Sequence, residues 1–361
     1  MLKKRGLGID VLTAAKQRVI DTFKFGKVVQ LTFSGGKDSI VLADIVYNLL
    51  LEGLIPKEQL TVLFIDEEAM YDDVIEGVKK WRTKFMTAGV KFEWFCVPVK
   101  HFNCLNMLTD EETFICWDPR KKEKWIREMP RFAITDDPYL IPYKDNYQAF
   151  LERRDACKHV ISMRGIRVSE SCQRLGYVAR RKDDGSKVSL PIYDWTDTDI
   201  WLYIKKFNVE FPEAYEKLYR TGCNKRQLRI SQFFSIDTAK SLVKLEEMYP
   251  GLMARIKQRE PNAYLCALYW DSEMFGRSTK RRRELEGDND DKNYKALAME
   301  KLTDPNPIDP LLQRDLRNNV CKYEYLINDS DYKKIYECLS VGDPKRRTQR
   351  AIVTGILARR K

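Results

Sequence analysis

Apolar and polar positions along this chain follow two periods, and their order predicts an architecture before any single residue is weighed. From Asp10 to Phe25 the apolar residues Val11, Leu12, Ala15, Val19, Ile20 and Phe23 recur at three- and four-residue steps behind a capping aspartate, which predicts an amphipathic first helix. Val28 to Phe33 is a short, β-branched and apolar run that predicts a buried strand. It ends in Ser34-Gly35-Gly36-Lys37-Asp38-Ser39, and a helical stretch follows from Ile40 to Leu51. A second strand is predicted from Leu60 to Ile65, stopping at Asp66-Glu67-Glu68, then a helix to about Met86 and a third strand from Lys91 to Val99. The pattern resumes with a strand from His159 to Met163, a turn at Arg164-Gly165, a β-like or loop segment from Val178 to Ser189, and a helix from Asp197 to Phe207. Strands alternating with helices predict an α/β fold on a parallel sheet.

Two stretches break the alternation. Between His101 and Asp155 aromatic, proline and charged clusters, such as Trp117-Asp118-Pro119-Arg120, predict an insertion that forms part of a substrate mouth. Beyond about Phe211 helical patterns dominate and bases cluster, at Lys280-Arg281-Arg282-Arg283 and in the tail from Gly342 to Lys361. The chain is therefore divided into an N-terminal helix (1–26), an α/β domain (27–207, with an insertion at 101–156) and a basic, mainly helical C-terminal domain (208–361).

Composition narrows the classes. With 361 residues, 43% hydrophobic and 32% charged, the chain has room for a core, and collagen-like, low-complexity and wholly disordered readings lose their support. Sixty-four Lys plus Arg against 53 Asp plus Glu leave +11, which favours polyanionic partners without choosing among them. Nine scattered cysteines with no Cys-x-x-Cys pair argue against a disulfide framework, and with two histidines they predict neither a zinc site nor an iron–sulfur cluster. No apolar run approaches the roughly 20 residues of a membrane span, and no apolar signal core follows the basic start, so a cytoplasmic protein without membrane contact is expected.

The loop after the first strand carries candidate chemistry. Gly35 and Gly36 allow a tight turn, backbone N–H groups at a helix start form an anion nest, Lys37 adds a point charge, and Ser34 and Ser39 add hydroxyls, so phosphate is the natural guest. A solvated strand-to-helix turn with Ser39 as cap is the plainer alternative. Adjacent glycines followed directly by lysine are not the GxxxxGK[ST] P-loop. In a second segment, Gly165-Ile166-Arg167-Val168-Ser169-Glu170-Ser171-Cys172-Gln173-Arg174, Arg167 and Arg174 offer planar forks for phosphate or sulfate oxygens, and Glu170 is placed to orient an arginine or act near a leaving group. An ordinary helix start with Ser169 as cap is its alternative. In a third, Pro191 to Trp201, Thr196 and Asp199 are spaced as a capping box beside Trp195. Asp66, at the end of the second strand, lies where open α/β sheets bind ligands and is a candidate for ribose or metal contact.

The SGGKDS loop resembles the pyrophosphate-binding loop of the N-type ATP pyrophosphatases, the PP-loop superfamily. The G-x-R-x-x-E-S-x-x-R and P-x-x-x-W-[ST]-x-x-D-[IV]-W segments resemble those of the phosphoadenosine phosphosulfate (PAPS) reductase family. Together the three motifs span about residues 10 to 205. The resemblance implies a doubly wound parallel sheet of the adenine nucleotide alpha-hydrolase type. It implies Ser34, Gly35, Gly36, Lys37, Asp38, Ser39, Asp66 and Gly165 around the nucleotide, and Lys37, Arg167, Glu170 and Arg174 in catalysis. It further implies ATP split between its α and β phosphates to adenylylate an acceptor, with Asp38 helping to hold Mg2+; the alternative is a first-turn acid on the helix dipole. The basic C-terminal extension, with Tyr269-Trp270 and Phe275-Gly276-Arg277, resembles PAPS reductase-like proteins of the immunoglobulin-binding regulator A type, which implies a ParB-like protein partner.

Reductases proper carry a C-terminal Glu-Cys-Gly-x-His segment, and Glu337-Cys338-Leu339-Ser340 lacks its glycine and histidine. Adenylylation from ATP, with sulfur transfer as a further step, is thus the leading expectation. PAPS as substrate and a non-catalytic, nucleotide-sensing binder of nucleic acid through the basic C-terminal domain are the alternatives.

Overall fold

The computed structural model describes residues 8–103, 113–170, 172–180, 185–222, 228, 230, 233–234, 242–268, 293–343 and 346–359. Two compact units emerge. One contains Met1–His101, Ile115–Gln232 and Met248–Arg259, and the other Phe102–Phe114, Phe233–Glu247 and Glu260–Lys361. Residues 208–232 and Met248–Arg259, expected beyond the α/β domain, lie in the first unit.

The first unit begins with α1 (Val11–Phe23), whose start is fixed as the sequence implies: the Asp10 carboxylate accepts from the amides of Leu12 and Thr13, both at 3.0 Å. Five strands, β1 (Val29–Phe33), β2 (Leu60–Ile65), β3 (Lys91–Phe95), β4 (Ile161–Arg164) and β5 (Val188–Ser189), form one sheet in the order β3-β2-β1-β4-β5. Every neighbouring pair is parallel, with Phe33 opposite Phe64 and Thr32 opposite Arg164. β1 and β2 are buried along nearly their whole length, Gln30 of β1 included, as strands covered on both faces are. Helix α2 (Lys37–Leu51) buries Ile40, Val41, Leu42, Ile45, Val46 and Leu49, and α3 (Asp72–Thr87) buries Val74, Val78, Trp81 and Phe85. Phe33 and Trp81 meet with ring centroids 6.1 Å apart.

From β1 the chain runs through α2 to β2 on one side, whereas β4 enters the sheet on the other side of β1. This is the switch point of strand order, outside whose carboxyl ends open α/β sheets bind ligands. The stretch after β3 is tied back to the sheet: Ile134 donates to Trp94 O at 2.8 Å and accepts from the Cys96 amide at 2.9 Å. Arg154, on α4 (Tyr147–Lys158) and 1% exposed, donates to Gln30 of β1 and Glu93 of β3, each at 2.5 Å, and to Asp137 at 3.1 Å. A buried guanidinium so paired fixes the return path of the chain toward β4.

Several boundaries differ from the sequence expectation, and β3, expected to run to Val99, ends at Phe95. Helix α2 starts at Lys37, inside the glycine loop. His159 is the left-handed cap of α4 at φ 52°, so β4 begins two residues later. A helix, α5 (Cys172–Arg180), occupies the start of what reads as a β-like or loop segment. Helix α6 (Asp197–Phe207) carries the expected capping box between Thr196 and Asp199, and α7 (Ala214–Arg220) and α8 (Pro250–Arg259) complete the helices used below.

The second unit is mainly helical among its described residues, with strand residues at Phe102, Thr113 and Phe114. Helices α9 (Tyr294–Thr303), α10 (Pro310–Tyr323), α11 (Asp329–Val341) and α12 (Arg347–Leu357) enclose a core of Ala298, Leu302, Leu312, Leu316, Val320, Ile335, Leu339, Ile352 and Ile356. The basic cluster Lys280–Arg283, the aromatic pair Tyr269-Trp270 and Phe275-Gly276-Arg277 lie outside the described residues, as do Lys345, Arg360 and Lys361. No helix among the described residues is long and apolar enough to cross a membrane.

Candidate functional site

The end of β1 turns into α2 through a loop closed by its own hydroxyls. Ser34 donates to Ser39 Oγ at 3.0 Å from its hydroxyl and at 3.2 Å from its amide, and Ser39 Oγ donates to Gly36 O at 2.8 Å. Gly35 has φ +74°, and a Cβ there would stand 2.8 Å from both Val74 Cγ1 and Val78 Cγ2 of α3, so this position requires glycine twice over. The turn places the N-terminus of α2 at the sheet switch point, where the helix dipole favours an anion.

Parallel pairing of β1 with β4 brings the second motif against the first. An added Cβ at Gly165 would lie 3.1 Å from Asp38 O, so the two loops touch backbone to backbone. Arg167, 2% exposed, donates from Nε to Asp38 Oδ1 at 2.8 Å and from its terminal nitrogens to Asp38 Oδ2 at 3.3 Å, Ser169 Oγ at 3.1 Å, Glu170 Oε1 at 3.3 Å and Asp197 Oδ1 at 3.4 Å. Arg174 pairs with Glu170, one helical turn away. Lys37 is buried; its ammonium lies 3.5 Å from Asp197 Oδ1 and donates to Leu228 O at 3.4 Å. Its amide donates to the hydroxyl of Tyr215 at 2.9 Å, and burial pushes that phenol up.

The structure thus brings together Ser34, Gly35, Gly36, Lys37, Asp38, Ser39, Gly165, Arg167, Glu170 and Arg174. Asp66 is not with them. It is 0% exposed; its Oδ2 accepts from Trp94 Nε1 at 2.9 Å and its Oδ1 from the Glu68 amide at 3.0 Å and from Arg127. A ribose or metal role for Asp66 is corrected on that ground: its oxygens are consumed by protein donors beneath the surface. Asp38 is a second departure. Both its oxygens face Arg167, so the residues present do not form a magnesium site on it, and no step below runs through the ion. Among the cysteines, burial pushes the Cys96 and Cys116 thiols up, whereas Cys157 is exposed; the Cys172 side chain is outside the described residues.

Sequence reasoning misses Asp197 and Tyr215. Asp197 occupies an unspecified position of the third motif and reads only as a first-turn acid. Tyr215 lies past the expected domain limit, with no periodic signal to link it to Lys37.

A buried parallel sheet with a glycine-rich anion nest, a lysine and an arginine at its switch point defines a nucleotide-binding α/β unit of the PP-loop kind. A family model described as the phosphoadenosine phosphosulfate reductase domain matches residues 28–227, and the chain belongs to this family, within the PP-loop superfamily. The uncharacterized protein YbdN of Escherichia coli is 28% identical over 293 residues, covering 75% of this chain and 70% of that protein. An uncharacterized protein of Methanocaldococcus jannaschii is 26% identical over 228 residues, 62% of this chain, and the match spans under half of that protein, 45%. Among solved structures, the U34-tRNA thiolase NcsA from Methanococcus maripaludis with its 4Fe–4S cluster is similar at a TM-score of 0.32 and 13% identity, covering 71% of this chain and 78% of that one. The likeness is distant, and nothing about the site is rested on it. That protein carries a cluster, and for this chain the expectation of no iron–sulfur cluster is set aside: separation along a chain does not test ligands that converge from distant elements.

Proposed function

We propose that this protein binds ATP with its β and γ phosphates on the loop from Ser34 to Ser39 and splits it between the α and β phosphates. An acceptor oxygen attacks the α-phosphorus, the bond from that phosphorus to the α–β bridging oxygen breaks, and pyrophosphate leaves with the electron pair. The adenylylated acceptor is then open to displacement by sulfur or another nucleophile. The observation that carries this reading is the placement of Lys37 and Arg167, two buried cations from adjacent parallel strand ends, on one anion nest.

Each residue then has a task. The N-terminus of α2 and the Lys37 ammonium take up charge that grows on the leaving pyrophosphate. Arg167, seated on Asp38, offers the terminal nitrogen that faces Asp197 to the α-phosphoryl oxygens, and Glu170 keeps Arg174 beside it. Catalysis of this kind is positioning and charge stabilisation, with no covalent step on the protein.

The test is incubation with ATP labelled at the α-phosphate, with candidate acceptors and without. AMP or an AMP adduct together with pyrophosphate supports the reading, and ADP with phosphate as the sole products sinks it. Competition between ATP and PAPS for the free protein separates the reductase-type alternative. We further propose the basic helical unit as the surface for a ParB-like protein or nucleic acid, and the cytoplasm as the place of action. Binding that falls steeply with salt is the expected mark of the nucleic-acid case.

A further inference from the structure

Resting on the reading of the Ser34–Ser39 loop as a phosphate site, one feature goes beyond it. Two protein groups stand where ligand oxygens would stand. The Asp197 carboxylate lies 3.5 Å from the Lys37 ammonium and 3.4 Å from an Arg167 terminal nitrogen, bridging the two cations through one oxygen, Oδ1. The Tyr215 hydroxyl takes the Lys37 amide. Asp197 differs from Asp38, another of the three acids, with Glu170, on Arg167. Asp38 makes the shorter contact, 2.8 Å to Nε, with its side chain 17% exposed, whereas Asp197 has longer contacts and 40% exposure. One acid is built into the arginine's seat; the other sits at the rim with solvent to retreat into.

We propose that Asp197 is a specificity-determining residue, an internal counter-charge that occupies the phosphate position between Lys37 and Arg167 until a polyphosphate displaces it. An anion entering the site must offer both cations more than the aspartate already offers. A ligand that spans Lys37 and Arg167 with several charged oxygens does so, and a lone phosphate or sulfate recovers little more than it removes. Asp197 is also the first residue of α6, one position past the Thr196 cap. Its carboxylate can swing toward solvent without releasing the Thr196–Asp199 capping box that holds the helix start.

Asp197 and Asp38 therefore make opposite predictions. With the full-length protein, calorimetric titration with ATP, inorganic pyrophosphate and inorganic phosphate is compared across wild type, Asp197→Asn and Asp38→Asn, with thermal melts to check folding. Asp197→Asn is expected to tighten ATP and pyrophosphate by about threefold to tenfold, the scale of a partly exposed ion pair, and to make phosphate binding measurable. Asp38→Asn is expected to weaken all three by freeing Arg167 from its seat. Wild type binding ATP while Asp197→Asn binds it equally or less well overturns this inference and leaves the nucleotide reading standing. Failure of both proteins to bind ATP or pyrophosphate fells the nucleotide reading, and this one with it. Should Asp197→Asn melt far below wild type, Asp197→Ser, which also removes the charge at the helix start, answers the same question by the same titration.

Discussion

The carboxyl ends of β1 and β2 are neighbours in one sheet, and the chain has made opposite uses of them. At the end of β1, Lys37 and Arg167 are held partly by contacts of 3.3 to 3.5 Å, to acids that solvent reaches. At the end of β2, Asp66 and Glu68 are both 0% exposed and saturated. Glu68 accepts from the Trp117 amide at 2.7 Å, the Ile126 amide at 3.3 Å and Arg259 Nε at 3.0 Å, from a left-handed backbone at φ 60°. Burial pushes the Glu68 carboxyl up against the opposing pull of Arg259. Equivalent positions in a doubly wound sheet thus yield an ion site where charges are left replaceable, and a structural knot where they are not.

Breaking the knot has the largest expected effect. Arg259→Ala strands a buried carboxylate and is expected to cost about 3–5 kcal/mol of stability, seen in denaturant melts, and Arg259→Ala combined with Glu68→Gln recovers part of it. A loss under about 1 kcal/mol would erase the contrast. On the β1 side, Lys37→Ala is expected to lower turnover of ATP by about 100- to 1000-fold while barely moving the melt. Equal damage to fold and turnover would make Lys37 structural. Gly35→Ala acts on both, since it meets Val74 and Val78 and forces a left-handed residue. A loss of about 1–3 kcal/mol together with weaker nucleotide binding is expected.

The smallest effect concerns pH and arises at the end of β2, at Glu67 between Asp66 and Glu68. Burial raises Glu67 above the ordinary glutamate range, against the pull of His101, whose Nε2 lies 3.7 Å away. Because the folded form then holds its proton more tightly than the unfolded chain, stability from this group is greatest at low pH and falls as pH rises from 4.5 through the raised value. Glu67→Gln is expected to shrink the difference between melts at about pH 5 and about pH 8. An unchanged difference would place the pH response elsewhere.

These residues also mark how far the sequence can be read. The parallel α/β sheet was legible because strand and helix periods alternate cleanly, and the PP-loop was legible because glycine, lysine and hydroxyl are local. The pairing of Lys37 with Arg167 follows once Gly165 is set beside the first loop, which motif order suggests. Asp66 misled: position at a strand end says where a side chain begins, and only its neighbours Trp94 and Arg127, 28 and 61 residues on, decide that it turns inward. Tyr215 and Arg259 were illegible for the same reason, since each meets its partner across more than 170 residues of chain.

Gly165 has a consequence of another kind. Its missing methyl lets two strand ends press together, 3.1 Å from where a Cβ would sit to Asp38 O, so it acts as a ruler for the gap between the loops. A few tenths of an ångström added there would be passed on to Arg167 two residues later, on the scale over which a charged hydrogen bond loses its alignment. Selectivity among phosphate-bearing molecules could therefore be retuned from a residue that touches none of them, and chains that differ at this one backbone contact need not share a substrate even if every charged residue were kept.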